Sequence, residues 1–202
     1  MEIEVFADIW CPFTHVGLRA VAEARRAAGR DDVRLVVRAW PLELVNGAPM
    51  DRAKVEHHAD DLRAQVSPDL FGHLADPFPT TTLPALALAA SAYEVSADLG
   101  ERMSVALRDA LFEHGLDIAD EVVLEGLAAE HGVPLPGDRQ RAAVLADWES
   151  GRERGVVGSP HFFCGDSAVF CPALEITRDP DTGLVITRNT DRLNEFLAAC
   201  FA

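Results

Sequence analysis

An α/β domain interrupted by an all-helical insertion is the fold class that three observations predict. β signals gather at the two ends of the chain, in "EIEVFAD" and "VRLVVRAWPLEL" before residue 46 and in "HFFC", "AVFC" and "LEITRDPDTGLVITRN" after residue 160. From Asn46 to about Trp148 nearly every segment instead carries helical spacing, with glycine or proline at the joints. A start of strand, helix, strand and a finish of strand, strand, helix can complete one sheet. Residues 1–45 and 149–202 are therefore expected to form one discontinuous domain around an insertion of residues 46–148, rather than two domains in tandem.

The first strand is read from the period-two alternation of "EIEVFAD", which puts Ile3, Val5 and Ala7 on one side. Pro12 then opens a helix, where its missing N–H costs nothing. Val16, Leu18, Val21 and Ala24 lie near one face of that helix, arginines occupy its last turns, and Gly29 is its stop. The β-branched run from Val33 to Trp40 is the second strand, limited by Pro41. Within the helical block, the proline-rich "SPDLFGHLADPFPTTTLP" is the long irregular segment and a candidate for lining a site. "HFFC" and "AVFC" flank the turn-forming "GDS" as a hairpin. A second hairpin is centred on Asp179 to Gly183, and "DRLNEFLAACFA" reads as a terminal helix.

Composition narrows the classes of partner. The chain has 202 residues, 49% of them hydrophobic, enough for a sizeable core. Its 18 Lys and Arg against 33 Asp and Glu leave a formal charge of −15, and the cations are mixed with acids along the chain, so nucleic acid is not an expected partner. The opening "MEIEVFADIW" lacks the basic stretch and long apolar core of a secretory signal, and no apolar run approaches a membrane span. A cytoplasmic protein without membrane contact is expected. In that reducing setting Cys11, Cys164, Cys171 and Cys200, none at C-x-x-C spacing and none in a Cys/His metal cluster, are expected to be free thiols with no metal bound.

Cys11 stands apart because of "IWCPFTH". A cysteine between a strand and a helix N-terminus faces unsatisfied backbone N–H groups and the positive end of the helix dipole, which favour thiolate over thiol. The bland alternative, a small buried residue, is the commoner fate of a cysteine but fits this turn less well. At this point a family enters. "DIWCPFTHVGL" resembles the active-site turn of the DsbA-like thioredoxin-fold proteins, and "GVVGSPHFF" resembles the loop in which they carry a cis-proline. "LRDALFEHGLDIADEVVLEGLAAEHGV" is similar to the helical insertion of that family's cytoplasmic branch, which includes 2-hydroxychromene-2-carboxylate isomerases and kappa-class glutathione transferases.

The resemblance implies a thioredoxin-like fold with an inserted helical lid, Cys11 as nucleophile and Pro160 as the cis-proline facing it, with the Ser159 backbone as an open edge for a peptide or small thiol. The chain also departs from the pattern. Position 14, a second cysteine in the disulfide oxidoreductases, is Thr14, while the isomerases and kappa transferases carry serine where this chain has Cys11. An intramotif disulfide is thus ruled out. Thr14 can donate to the Cys11 thiolate, or bond its own helical turn. In a thioredoxin-like sheet Cys171 lies near the active-site end of the hairpin and Cys164 toward the far end, so Cys171 is a candidate resolving thiol. Packing within its strand is the alternative, since two strand spacings of about 5 Å exceed disulfide reach.

Further residues complete the expected cleft. "ADPFPTTT" resembles the stretch by which the isomerase and kappa branch holds glutathione, with Phe78 and Pro79 matching, Thr81 in place of asparagine and Thr82 on the hydroxyl position. A threonine-capped helix start is the competing reading. His15 is placed to sit over the thiol or to be exposed on the first helical turn, and Asp8 to accept a proton or to bond the turn. Trp10, Pro12, Phe13 and Phe78 would wall the cleft, or belong to the core. His57 and His58, on a charged helix, read as solvated surface residues. The expected activity is thiol–disulfide oxidoreduction through one activated cysteine, acting on disulfide-containing protein or small-thiol substrates. Glutathione or another low-molecular-weight thiol is the expected co-substrate, with no tightly bound cofactor and a homodimer left open. The alternatives are a thiol-dependent isomerase or transferase of the kappa type, and a non-catalytic binding module.

Overall fold

The computed structural model describes residues 1–180 and 183–201. Strand β1 (Glu2–Ala7) lies at the centre of a four-stranded sheet ordered β2-β1-β3-β4, with β2 (Arg34–Ala39) parallel to it and β3 (His161–Cys164) antiparallel. Strand β4 (Ser167–Phe170) closes the hairpin in the register His161↔Phe170 to Cys164↔Ser167. The parallel step from β1 to β2 needs a crossover, and helix α1 (Pro12–Ala27) supplies it. That helix starts at Pro12 and is released at Gly29, whose φ of +64° is cheap only for glycine.

Both faces of the sheet are covered. Ile3, Val5 and Ala7 join the large core shared with α1 and the insertion, while Phe6 on the opposite face packs edge-on against Trp40 and Phe163. Between β2 and β3 lie α2 (Leu42–Asn46), α3 (Arg52–Gln65), α4 (Leu83–Val95), α5 (Ala97–Phe112), α6 (Glu121–His131) and α7 (Asp138–Glu153). These helices grip the exposed edge of β2. The Tyr93 hydroxyl accepts from Val37 N at 2.8 Å and donates to Leu35 O at 3.1 Å, and an Asp147 carboxylate oxygen accepts from Ala39 N at 3.0 Å. An edge that would otherwise pair with a foreign strand is thereby occupied by side chains. The result is the thioredoxin-like fold with a helical insertion.

One expectation is corrected here. The two chain ends complete one sheet only through β3 and β4. Strands β5 (Leu174–Asp179) and β6 (Gly183–Arg188) pair with each other as a separate two-stranded sheet, and residues 181 and 182 of their turn lie outside the described residues. The physical reason lies at Cys171, whose left-handed φ of 46° turns the chain away from the four-stranded sheet after β4. The detached hairpin is held by α3 instead: Ile186 N donates to Gln65 Oε1 at 2.8 Å, and Gln65 Nε2 donates to Leu184 O at 3.0 Å. Helix α8 (Thr190–Phe201) returns to the main sheet, setting Phe196 against Phe162. Among the described residues no helix is long and apolar enough to cross a membrane.

Candidate functional site

Cys11 is the residue that caps the N-terminus of α1, with extended backbone angles (φ −81°, ψ 109°) and its carbonyl accepting from Thr14 N at 3.1 Å. Its sulfur donates to Ser159 O at 3.0 Å. The Ser159–Pro160 peptide bond is cis, as the resemblance implies. On the other side of the same short segment Pro160 O accepts from Cys171 N at 2.9 Å, so Cys11 and Cys171 flank the Ser159–Pro160 step. Gly17 lets α1 approach it: a Cβ there would already be 3.5 Å from the Pro160 ring.

Hydroxyls connect these pieces. Asp8 N donates to Ser159 Oγ at 2.9 Å, and Ser159 Oγ lies 2.9 Å from Thr14 Oγ1. Each hydroxyl has one proton to give. Either hydroxyl can therefore turn its proton toward the Cys11 sulfur, and Thr14 and Ser159 both favour its thiolate. The Asp8 carboxylate accepts from Trp10 N at 3.0 Å and from Leu42 N, and Thr82 acts to lower its pKa. The turn after β1, the start of α2 and the start of α4 thus converge on one buried carboxyl.

Burial dominates the electrostatics. Cys11 is 5% exposed, and desolvation pushes its thiol above the ordinary range against the hydrogen bonds from Thr14 and Ser159, while the Asp8 charge pushes the same way as burial. The bias toward thiolate expected from the helix N-terminus alone is accordingly offset in the closed site. Asp8 is raised to about 6 by desolvation, opposed by its backbone donors, Thr82 and Arg108. Burial lowers Arg108 to about 10, opposed first by the Asp8 carboxylate. The guanidinium donates to Asp8 O at 3.1 Å and to Ser104 O at 2.7 Å. Cys171 is pushed up to about 12, by burial first and by Cys11 second.

The structure brings Cys11, Thr14, Ser159, Pro160, Cys171 and Asp8 together, and distributes the other expected residues differently. Trp10 is completely buried and stacks on Phe78 at 6.2 Å and 16°, so it backs the site without surface for a substrate. Pro12 is buried in the first turn of α1. Half-buried Phe13 meets the His58 ring at 5.4 Å. His15 is neither exposed nor available over the thiol: it is fully buried, with Nε2 donating to Glu113 at 2.6 Å and Nδ1 accepting from Arg19 at 3.0 Å. Thr81 and Thr82 are engaged by Glu43, at 2.8 Å from the Thr81 hydroxyl and from Thr82 N, and Thr82 is buried. Pro79 is buried beside them.

Three participants escape a reading of the sequence. Arg108 does carry a signal, an arginine in the apolar stripe of Ser104, Leu107 and Leu111 on α5, all buried. Glu43 carries none, because nothing local marks its reach to the 81–82 segment. His58 was expected among solvated histidines, and His57 is exposed, yet His58 is half-buried against Phe13, and burial lowers its pKa.

Comparison with known proteins follows the geometry. The profile of the DSBA-like thioredoxin domain matches residues 2–176. No curated protein matches the chain significantly. Among solved structures, a candidate protein disulfide isomerase from Nitrosomonas europaea superposes with a TM-score of 0.70 at 20% identity, covering 99% of this chain and 97% of that one. The cytosolic disulfide reductase DsbM from Pseudomonas aeruginosa gives 0.66 at 18% identity over 100% and 98%; its form with GSH gives 0.62 at 16% over 100% and 99%. A 2-hydroxychromene-2-carboxylate isomerase gives 0.66 at 17% over 98% and 94%. Likeness at these identities is likeness of fold, and the profile match over most of the chain is what places it: the chain belongs to the DSBA-like thioredoxin domain family.

Proposed function

We propose that the protein is a thiol–disulfide oxidoreductase that works through the single thiol of Cys11, with a low-molecular-weight thiol as co-substrate. The observation that carries this reading is the contact of the Cys11 sulfur with the Ser159 carbonyl at 3.0 Å, next to cis Pro160, with Thr14 where a second thiol would stand. A substrate segment laid along the Ser159–Pro160 edge would meet Val157 (74% exposed) and Phe170 (44% exposed) and bring its disulfide to Cys11. Cys11 thiolate then attacks one sulfur. A Cys11–substrate disulfide forms, and the other half leaves as a thiolate that takes up a proton. A small-molecule thiolate attacks the mixed disulfide, restores Cys11 and departs as a new disulfide with the bound half.

A small thiol suits the resolving step better than Cys171, because burial holds the Cys171 thiol protonated. DsbM, the disulfide reductase whose fold this chain shares, is known with GSH, which makes glutathione a reasonable first probe. A second reading, a thiol-dependent isomerase or transferase, draws on the same features differently: Thr14 leaves the site with one thiol, and the isomerase has the same fold. In that case the bound small thiol, not Cys11, performs the attack.

Reduction of glutathione mixed disulfides, with intact-mass analysis of the enzyme, tests the proposal. Wild type is expected to turn over and to accumulate a one-glutathione adduct at Cys11 when free thiol is limiting. Cys11→Ser is expected to lose at least a hundredfold in rate. Turnover that survives Cys11→Ser would overturn the single-thiol mechanism in favour of the second reading.

A further inference from the structure

Two of the four cysteines play no part in the site, and they face each other. Cys164 ends β3, and Cys200 lies in the last turn of α8. The rings of Phe162 and Phe196 meet at 6.0 Å, edge to face, which fixes how α8 lies across β3. Two residues along a strand, about 6.7 Å, return to the same face. Four residues along a helix, about 6 Å, return to nearly the same side. Those two steps lead from Phe162 to Cys164 and from Phe196 to Cys200, and the two thiols are close enough to act on each other's ionisation. Both residues are buried in the main core.

We propose that Cys164 and Cys200 are a second dithiol–disulfide couple, oxidised by small-molecule disulfides of the oxidised-glutathione class, whose disulfide ties the C-terminal helix to the central sheet. The couple does not depend on the chemistry of Cys11. The register Cys164↔Ser167 puts it at the turn end of the β3–β4 hairpin, three residues and about 10 Å along the strand from His161, which adjoins the Cys11 site. The step balances as a pair of exchanges. One cysteine thiolate attacks the small disulfide, forming a mixed disulfide and releasing one small thiol. The second cysteine attacks that mixed disulfide, forming the Cys164–Cys200 bond and releasing the other small thiol. Two electrons and the two protein thiol protons end on the released pair.

Burial sets the rate. It pushes the Cys200 thiol far up, with Cys164 acting in the same direction, so exchange in the closed fold is slow and requires the end of α8 to open. A terminal helix is a low-cost place for such opening. Once formed, the crosslink closes that route.

The test uses the full-length chain with Cys11→Ser and Cys171→Ser, incubated with oxidised glutathione in buffer and in urea below the unfolding transition, so that access does not limit the result. Expected are the loss of two hydrogens by intact mass, a crosslinked Cys164–Cys200 peptide after digestion, and a thermal midpoint several degrees above that of the reduced protein. Replacing Cys200 by Ala in the same background should leave the mass and the midpoint insensitive to the oxidant. Free thiols in both buffers, or stable glutathione adducts on Cys164 and Cys200 without a crosslink, would overturn the proposal.

Discussion

At the residue scale, position 14 determines what Cys11 can do, because a cysteine there would capture it and a threonine can only bond to it. The Thr14 hydroxyl bridges Ser159 Oγ at 2.9 Å and the Cys11 sulfur in a site where burial and Asp8 both oppose thiolate formation. A hydrogen bond to a charged group contributes about 1.5–3 kcal/mol, and about 1.4 kcal/mol corresponds to one pH unit. Thr14→Ala is therefore expected to raise the midpoint of the Cys11 alkylation profile by at least about one pH unit and to slow alkylation at neutral pH about tenfold. Thr14→Ser should restore both. An alkylation profile unmoved by Thr14→Ala would mean that the hydroxyl serves only Ser159 and the helix turn. Cys11 and Thr14 were legible from their place between a strand and Pro12, as was the cis-proline from the resemblance. The opposing influence of burial was not, since it depends on tertiary contacts such as that of Cys11 with Ser159, and Arg108 reaches Asp8 from a hundred residues away in the chain.

Among the elements, α1 and the irregular segment after α3 are joined by a buried pair whose charge state follows from geometry. Arg19 donates to His15 Nδ1, so the His15 proton sits on Nε2 and is given to Glu113. Glu113 also accepts from Phe71 N at 3.0 Å and Gly72 N at 2.9 Å, holding Phe71 at a φ of 66°. These three donated hydrogen bonds bring the carboxyl down to about 2 from 4.5, although burial acts against them. Burial lowers the His15 pKa despite Glu113. A carboxyl that is lowered in the fold lends stability above pH 4.5 and loses it as pH falls toward 2, and a lowered histidine likewise favours the fold above its ordinary 6.5. Both make acid destabilising. In Glu113→Gln the urea midpoint at pH 7 should fall, and its further decline between pH 4.5 and 2 should be shallower than in wild type. Parallel curves would show that Glu113 gains nothing from its charge. The strands and long helices here could be read from periodicity and caps, whereas the five-residue α2 could not, because its first N–H is held by Asp8 rather than by a local signal.

For the whole molecule, the boundaries expected from the sequence, residues 1–45 and 149–202 around 46–148, cut through α2 and α7, and the core crosses them too. One hydrophobic cluster runs from Ile3 and Val5 of the sheet through Leu88, Met103 and Leu111 of the insertion to Leu197 of the last helix. Polar contacts cross the same divide, at Tyr93 on the β2 edge and at Arg108 on the Asp8 carbonyl. Gly151 of α7 lies so close to the sheet that a Cβ would fall 2.6 Å from the Trp40 ring and 2.9 Å from Phe6. Excising residues 46–148 would strip the β2 edge of Tyr93 and Asp147, leave the Asp8 carbonyl without Arg108, and expose the apolar face that they cover, at a cost of about 25 cal/mol for each Å². The larger core is shared by both pieces, so the protein should unfold as one unit. Tryptophan fluorescence, which reports on Trp10 and Trp40 in the first unit and Trp148 at the end of the insertion, and far-ultraviolet circular dichroism, weighted toward the helical block, are expected to give coincident urea transitions. Transitions that separate, with helix lost after tryptophan burial, would instead make the insertion an independently stable unit and the active site an interface between two bodies.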